Sequence, residues 1–511
     1  GGVAAKKGEG KAGAVVKKEA KEEVEGGGSE DEGLSEYEKL RKRNMSRNVE
    51  ILESLDLPTI PVTAPAAPVR ARGLGPNKRA DPDAVAPRQR SLRIQGKDTE
   101  GLALPEGFRE PMRFKPTMGE EEVVERKVGD LEIKDLKWVD RRYRDDEELQ
   151  EKATHRVTAL MERLDSISKG KWGAGKGVAE KDYRDMIGRL AVAEKDVAKV
   201  VPNRIFSLAV HPSESHVLVA AGDKWGNVGF FEPDHAEDDT CVTVTDMHTR
   251  PVTSLVFDKA NPHRLLSGAY DSIVRVLDVK ERKSVAVWDC DEDEYGMLCS
   301  TAFDYTRQQV LCGHAQGGVS LLDVRSSSTR AKPRHVALHA GKVRSIQVSP
   351  SDPNMICTGS HDCTVRLWDA RKMTTANFLH EWRHGKGVNN VDWSPITGSC
   401  IVSTSTDDTL RILGGINDSK TTEKVIRHDN QTGRWLTPFR AVFDPKCDSA
   451  FVVGSMKNPR EVEVFSTSGK GERIKRLTHD NFTTIASINA FHPSKNILVG
   501  GNSSGKVYVW R

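Results

Sequence analysis

The stretch HDNQTGRWLTPF, residues 428–439, sets Arg434 and Trp435 directly after a Thr-Gly turn signal. A guanidinium donates paired hydrogen bonds to an anion, and an indole offers a flat apolar face for stacking. In a loop this pair would grip something outside the protein, whereas at the start of a strand the same indole would pack into a core. Both readings stand at this point. Other candidates for chemistry fall away. GKWGAGKG, residues 170–177, has Gly170, Gly175 and Lys176 at phosphate-loop spacing, but Gly177 occupies the place of the magnesium-binding Ser or Thr. No strand precedes it, so it reads as flexible linker. No Ser-His-Asp set, zinc cluster or paired-carboxylate site stands out, so no enzyme, cofactor or metal is expected. The eight cysteines include no Cys-x-x-Cys pair and are expected as free thiols of a reducing compartment.

The elements that would position Arg434 and Trp435 emerge from composition and period. Among 511 residues, the first hundred are rich in Gly, Ala, Pro, Lys and Glu, too polar to bury a core. Aromatic and β-branched residues recur from about residue 200 onward. With 77 basic against 74 acidic residues the net charge is only +3, so any basic footprint must be local. No apolar run approaches the roughly 20 residues of a membrane span, and no signal peptide is visible. An intracellular, soluble chain is expected.

Two families of short segments alternate seven times. One family closes on Val210, Phe257, Phe303, Val348, Trp393, Phe443 and Phe491; the other on Phe231, Leu277, Leu322, Trp368, Leu413, Phe465 and Trp510. From the first marker to the second the distance is always 19–22 residues. Period-2 alternation within the segments and turns such as SGAYDS and TGSHDC between them predict several antiparallel strands per unit. A repeat of about 46 residues with Trp-Asp endings fits four-stranded propeller blades. The fold is therefore all-β, a seven-bladed WD-repeat β-propeller over 194–511. EKDVAKVV, 194–201, is expected to supply the outer strand of the last blade, closing the ring and removing exposed edges. In the copy at 338–372, His339, Asp362 and Trp368 stand where WD repeats have a structural hydrogen-bond network, which makes them scaffold.

One connection breaks the regularity. From each second marker to the next first marker the distance is 25 or 26 residues, except for 30 between Leu413 and Phe443. The extra residues are placed at DNQTGRW, where turn formers cluster.

TGRWLTPFRAVFDP, the RLWDARK blade, and the leader motifs SEYEKLRKRNMSRNVEILESLDL and RQRSLRIQG together resemble the WD-repeat DNA-damage-binding family of the yeast changed-mutation-rate protein and its animal relatives. More distantly the chain resembles the small subunit of the UV-damaged-DNA-binding complex, which inserts a three-residue hairpin at lesions. Gly433, Arg434 and Trp435 fall on those wedge positions, although the relative's first wedge residue is aromatic. The resemblance implies DNA contacts from Arg204 and Lys224, with its neighbour Trp225, and from Lys342. Lys386 and Arg250 occupy the equivalent loop in other blades. Phosphate contacts would give sequence-independent, salt-sensitive binding, and an indole on an unpaired base contributes about 1–3 kcal/mol.

The expected function is non-enzymatic binding of duplex, or single-stranded, DNA, with preference for UV-damaged or distorted sites, in a nuclear protein of the DNA damage response. The alternative is a protein-interaction scaffold. LWDAR, 367–371, resembles the box with which propellers serve as substrate receptors of cullin–RING ubiquitin ligases; Trp368, Asp369 and Arg371 would face the adaptor, and chromatin proteins are further candidate partners. LLDVR, ending at Arg325, is a weaker copy. The N-terminal extension is expected as a charged disordered leader (1–34), a basic amphipathic helix (35–56), a Pro/Ala-rich linker (57–130), and a helical segment with a Gly/Lys linker (131–193), including a helix at 144–167.

Overall fold

A computed structural model describes residues 126–133, 136, 147–168, 177–235, 241–324, 333–416 and 421–511. The leader, the helix expected at 35–56, the linker up to residue 125, residues 170–176 and Arg325 lie outside the described residues.

Seven antiparallel sheets form the blades of a propeller. Blade 1 runs from its inner strand Ile205–Val210 through Val219–Asp223 and Val228–Phe231 to the outer strand Val242–Thr245. The inner strands of blades 2 to 6 are Val252–Phe257, Leu298–Asp304, Val343–Val348, Val388–Trp393 and Val442–Phe443. Blade 7 carries Ile488–Phe491, Leu498–Gly501 and Lys506–Trp510, and its fourth strand is Val197–Lys199, which pairs Val197 with Tyr508. The ring thus closes through Val197–Lys199, within the segment 194–201 expected to supply the outer strand. Blade 7 then packs on blade 1 through Ile488, Val499 and Val507 against Ile205 and Leu208.

Each blade is covered on both faces by its neighbours, so second strands such as Val219–Asp223 and Ala450–Gly454 are buried at every position, whereas the inner strands interleave apolar residues with polar ones, as in VRSIQV and VNNVDW. Close blade-to-blade approach needs small residues in the second strand. A Cβ on Gly222 would lie 2.7 Å from the Val252 Cβ of the next blade, and one on Gly313 would lie 2.8 Å from Val343 Cγ1.

In blade 4 the repeat's buried network is complete: His339 Nδ1 meets Asp362 Oδ2 at 2.9 Å, His339 Nε2 meets Thr358 Oγ1 at 2.7 Å, and the Trp368 indole donates to that hydroxyl at 2.8 Å. Trp368 is 0% exposed. It therefore offers no surface to an adaptor, which corrects its assignment as a partner-binding residue; within that box the exposed side chain is Arg371.

The N-terminal flank contributes more than a linker. Leu131–Glu132 adds a fifth strand to blade 2, pairing Leu131 with Ser284, and the buried Arg275 donates to the carbonyls of Lys127 and Gly129. Helix α1, Glu147–Ser168, buries Val157, Leu160, Met161 and Leu164 against blades 1 and 2, with an Arg163–Glu232 ion pair at 2.7 Å. Helix α2, Glu180–Ile187, buries Tyr183 and Ile187 between blades 6 and 7.

Candidate nucleic-acid interface

Strand direction decides which loops share a face. Every inner strand starts at the same end of the ring, so the loops from outer to inner strands and those from second to third strands open together. Arg204, Arg250, Lys342, Lys386, Arg434 and Trp435 lie in the former, Lys224 and Trp225 in the latter. Backbone bonds tie the two loop sets: Lys224 N–H donates to Arg204 O at 3.0 Å, and His361 N–H to Lys342 O at 2.9 Å. Asp369 ends the third strand Thr364–Asp369 and Arg371 follows it, on the opposite face, where Arg371 pairs with Asp369 at 2.8 Å.

The long connection spans residues 428–441, between Thr422–Arg427 and Val442–Phe443. Its entry is fastened to blade 5, because the buried Asn430 amide donates to Ser405 O at 2.8 Å and Thr409 O at 3.1 Å. Its exit crosses toward blade 1, where Thr437 Oγ1 donates to Ile205 O at 2.5 Å. Between these anchors the tip of the turn projects from the face. Gly433 has φ +59° and nothing within 4 Å of the place a Cβ would take. Trp435 is 69% exposed, and the Arg434 guanidinium lies over its ring, 5.1 Å from the centroid. The structure thus resolves the two sequence readings: Trp435 is a surface side chain and not a core one.

A second pair of the same kind stands on blade 1. Asp223 Oδ1 accepts the backbone N–H groups of Trp225 (2.8 Å) and Asn227 (2.9 Å), and Gly226 supplies φ +90°. This tight turn projects Trp225, 40% exposed, with Lys224 Nζ 4.6 Å from its ring centroid. Arg204 joins the two pairs. Its Nη1 donates to Arg434 O at 2.6 Å and Leu436 O at 3.3 Å, and burial lowers its pKa. Half-buried and committed to the hairpin carbonyls, Arg204 positions Trp435 more than it reaches outward.

The remaining cations divide. Lys342 and Lys386 are exposed and form no ion pair among the described residues. Arg250 is neutralised by Glu292 at 3.1 Å, and Glu292 belongs to the short acidic helix Glu292–Tyr295 that covers the rim at blade 3. The basic character therefore occupies the arc from blade 4 through blade 7 to blade 1. Within that arc Arg460, in the second-to-third-strand loop of blade 6, donates among the described residues only to the carbonyls of Met456 and Lys457. Its loop, SMKNPRE, carries its signal in the sequence as a basic turn. Its neighbour Lys457 is held by Glu463 at 2.7 Å. Burial pushes the Glu463 carboxyl up, but hydrogen bonds from His428, Lys457 and Arg473 outweigh burial and hold it well below its usual range.

Among the described residues no group of three or more His, Cys, Asp or Glu could hold a metal ion, and no helix is long and apolar enough to cross a membrane.

A family model described as WD domain, G-beta repeat matches residues 239–278 and 332–369, each range running from the outer strand of one blade through the third strand of the next, blades 2 and 4 respectively. WD repeat-containing protein 76 of Xenopus laevis is 33% identical over 93% of this chain and 80% of its own length. The chain belongs to this WD-repeat family. The Mus musculus protein of the same name is 33% identical over 94% of this chain. DNA damage-binding protein CMR1 of Yarrowia lipolytica is 28% identical over 93% of this chain and its own full length. Family membership thus covers the extension as well as the propeller.

Proposed function

We propose that this chain is a non-enzymatic nuclear protein that binds duplex DNA through the face carrying residues 428–441, with preference for UV-damaged or otherwise distorted sites. The observation that carries the reading is the pair of exposed tryptophans, Trp225 and Trp435, each under its own cation and linked by Arg204. An exposed indole beside a phosphate-seeking cation suits a base that has left its stack, and a lesion lowers the cost of unstacking. Lys224, Lys342, Lys386 and Arg434 supply backbone contacts without sequence preference. The fungal relatives named DNA damage-binding protein support the same reading. The acidic loop of blade 3 keeps the duplex on the opposite arc.

Titration of intact and UV-irradiated duplexes across salt concentrations tests this. Tighter binding to the irradiated duplex at every salt concentration is expected, and equal affinity for both would remove the damage preference. A second reading, compatible with the first, uses the other face: exposed Arg371 is free to meet a ubiquitin-ligase adaptor or a chromatin protein while DNA occupies the hairpin side.

A further inference from the structure

The mouth of the central channel, on the hairpin face, is lined by donors. Arg344 and Arg440 project into it from the inner strand of blade 4 and from the hairpin exit; Tyr270, Asn389 and Thr437 complete the wall around a narrow space of about 30 Å³. The same two arginines line the wider chamber behind it, about 320 Å³, so they stand between mouth and chamber. Arg344 donates to Asn389 Oδ1 at 3.0 Å, and among the described residues Arg440 reaches only Thr253 O at 3.5 Å.

Charge at this point is unbalanced. Neither arginine forms an ion pair among the described residues. Burial and then the charge of Arg344 push the Arg440 guanidinium down to about 10, while the Tyr270 hydroxyl pulls the other way. Arg440 therefore remains a cation at neutral pH, held beside another cation. The chamber's carboxyl, Asp392, is pushed up to about 7 by burial, accepts the Phe443 N–H at 2.8 Å, and forms no ion pair with either arginine among the described residues. Asn389 is 5% exposed, and because its oxygen serves Arg344 its Nδ2 donor has no partner. The Nε of Arg204, whose backbone adjoins this mouth through Phe206, is buried without a partner as well.

Half-buried like charges and buried orphaned donors cost stability unless an anion completes them. We propose that the channel mouth is a phosphoryl-group subsite, in which Arg344, Arg440 and the Asn389 amide hold oxygens of one phosphate. A phosphomonoester dianion balances both arginines, a DNA phosphodiester balances one, and in either case guanidinium forks match paired phosphate oxygens. Room for about two water-sized oxygens fits a phosphoryl group dipped in from the face with its ester side outside. The phosphate arrives either on DNA, as a backbone group held at the axis, or on a small phosphomonoester.

The test titrates inorganic phosphate into the full-length chain at constant ionic strength, reading thermal midpoint and calorimetric affinity. Saturable stabilisation by phosphate, absent with chloride, is expected. Arg440→Gln and, separately, Arg344→Gln are expected to weaken phosphate binding by about tenfold or more, as removal of a charge-assisted hydrogen bond does. In phosphate-free buffer each variant is expected to be as stable as the parent or more so, because the like-charge repulsion is gone. Equal midpoints in phosphate and chloride, or unchanged phosphate affinity in both variants, would overturn the subsite. Its source is read from a duplex and from AMP. Displacement of phosphate by duplex, with weaker duplex binding in Arg440→Gln, assigns the seat to a DNA phosphate. Displacement by AMP alone, with duplex binding unchanged in the variant, assigns it to a phosphomonoester. Failure of the duplex to bind the parent chain at all would strike the DNA reading and leave the phosphate result standing.

Discussion

Replacement of Trp435 by Ala separates a recognition role from a structural one. The side chain is 69% exposed, and its visible partner is the Arg434 guanidinium at 5.1 Å. An exposed cation–π contact contributes about 0.5–1 kcal/mol, so the folded state should lose no more than that. The anchors of the hairpin, Asn430 and Thr437, are untouched by the change. Stacking on an unpaired base contributes about 1–3 kcal/mol, which converts to a Kd raised roughly 5- to 150-fold. Fluorescence anisotropy with a labelled duplex bearing one UV lesion, beside its intact counterpart, reads the difference. The loss should fall on the lesion duplex, while the intact duplex, whose bases stay stacked, should change by no more than about twofold. Trp435→Phe keeps a stacking face and should retain most of the affinity. A Kd for the lesion duplex within twofold of the parent, with the urea midpoint unchanged, would refute the stacking argument.

Other expectations concern the scaffold. Thr358→Val removes the hydroxyl shared by His339 and Trp368 and leaves the buried indole N–H and the imidazole Nε2 unpaired; a loss of about 2–4 kcal/mol is expected from urea unfolding, and a change under about 0.5 kcal/mol would contradict the network's role. Leu164, 1% exposed on α1, should cost about 2–5 kcal/mol as Leu164→Ala and should open α1 to proteolysis before the blades are cut; simultaneous cleavage would mean that the helix is not separately docked. His211, His314, His384 and His492 are each pushed down, chiefly by burial, from 6.5 to about 4. They are neutral when folded and protonated when unfolded below pH 6.5, so their contribution is full above that value and falls as pH drops toward 4. Each histidine contributes a slope of up to about 1.4 kcal/mol per pH unit, and a urea midpoint equal at pH 7 and pH 5.5 would contradict their burial in the neutral form.

The propeller is legible because every blade repeats the same physical requirement at the same spacing: an apolar inner strand, a tight turn and an aromatic or branched residue closing the third strand. One irregular connection then stands out by its length alone, and the exposed Trp435 lies within it. What escapes the sequence depends on closure of the ring or on single neighbours. Arg344 and Arg440 read as ordinary strand and turn residues in VRSIQV and LTPFRAV; only the closed ring brings them to one axis. Leu131–Glu132 is a two-residue strand with no period to measure, and α2 is eight residues of mostly charged sequence whose docking rests on Tyr183 and Ile187. Arg250 reads as a free cation until the fold brings the acidic run DEDEY, which pairs with it, to the same rim. The Trp368 assignment fails for a simpler reason, since the tryptophan that marks a WD repeat does so by being buried.

The binding face itself is tested most directly by the salt dependence of duplex affinity. Lys224, Lys342, Lys386 and Arg434 changed together to Gln should lower the slope of log Kobs against log salt by about 3–4, at about 0.9 for each phosphate no longer neutralised. Arg371→Gln, on the opposite face, should leave it unchanged. A quadruple variant that keeps the parent slope would place the DNA elsewhere on the protein.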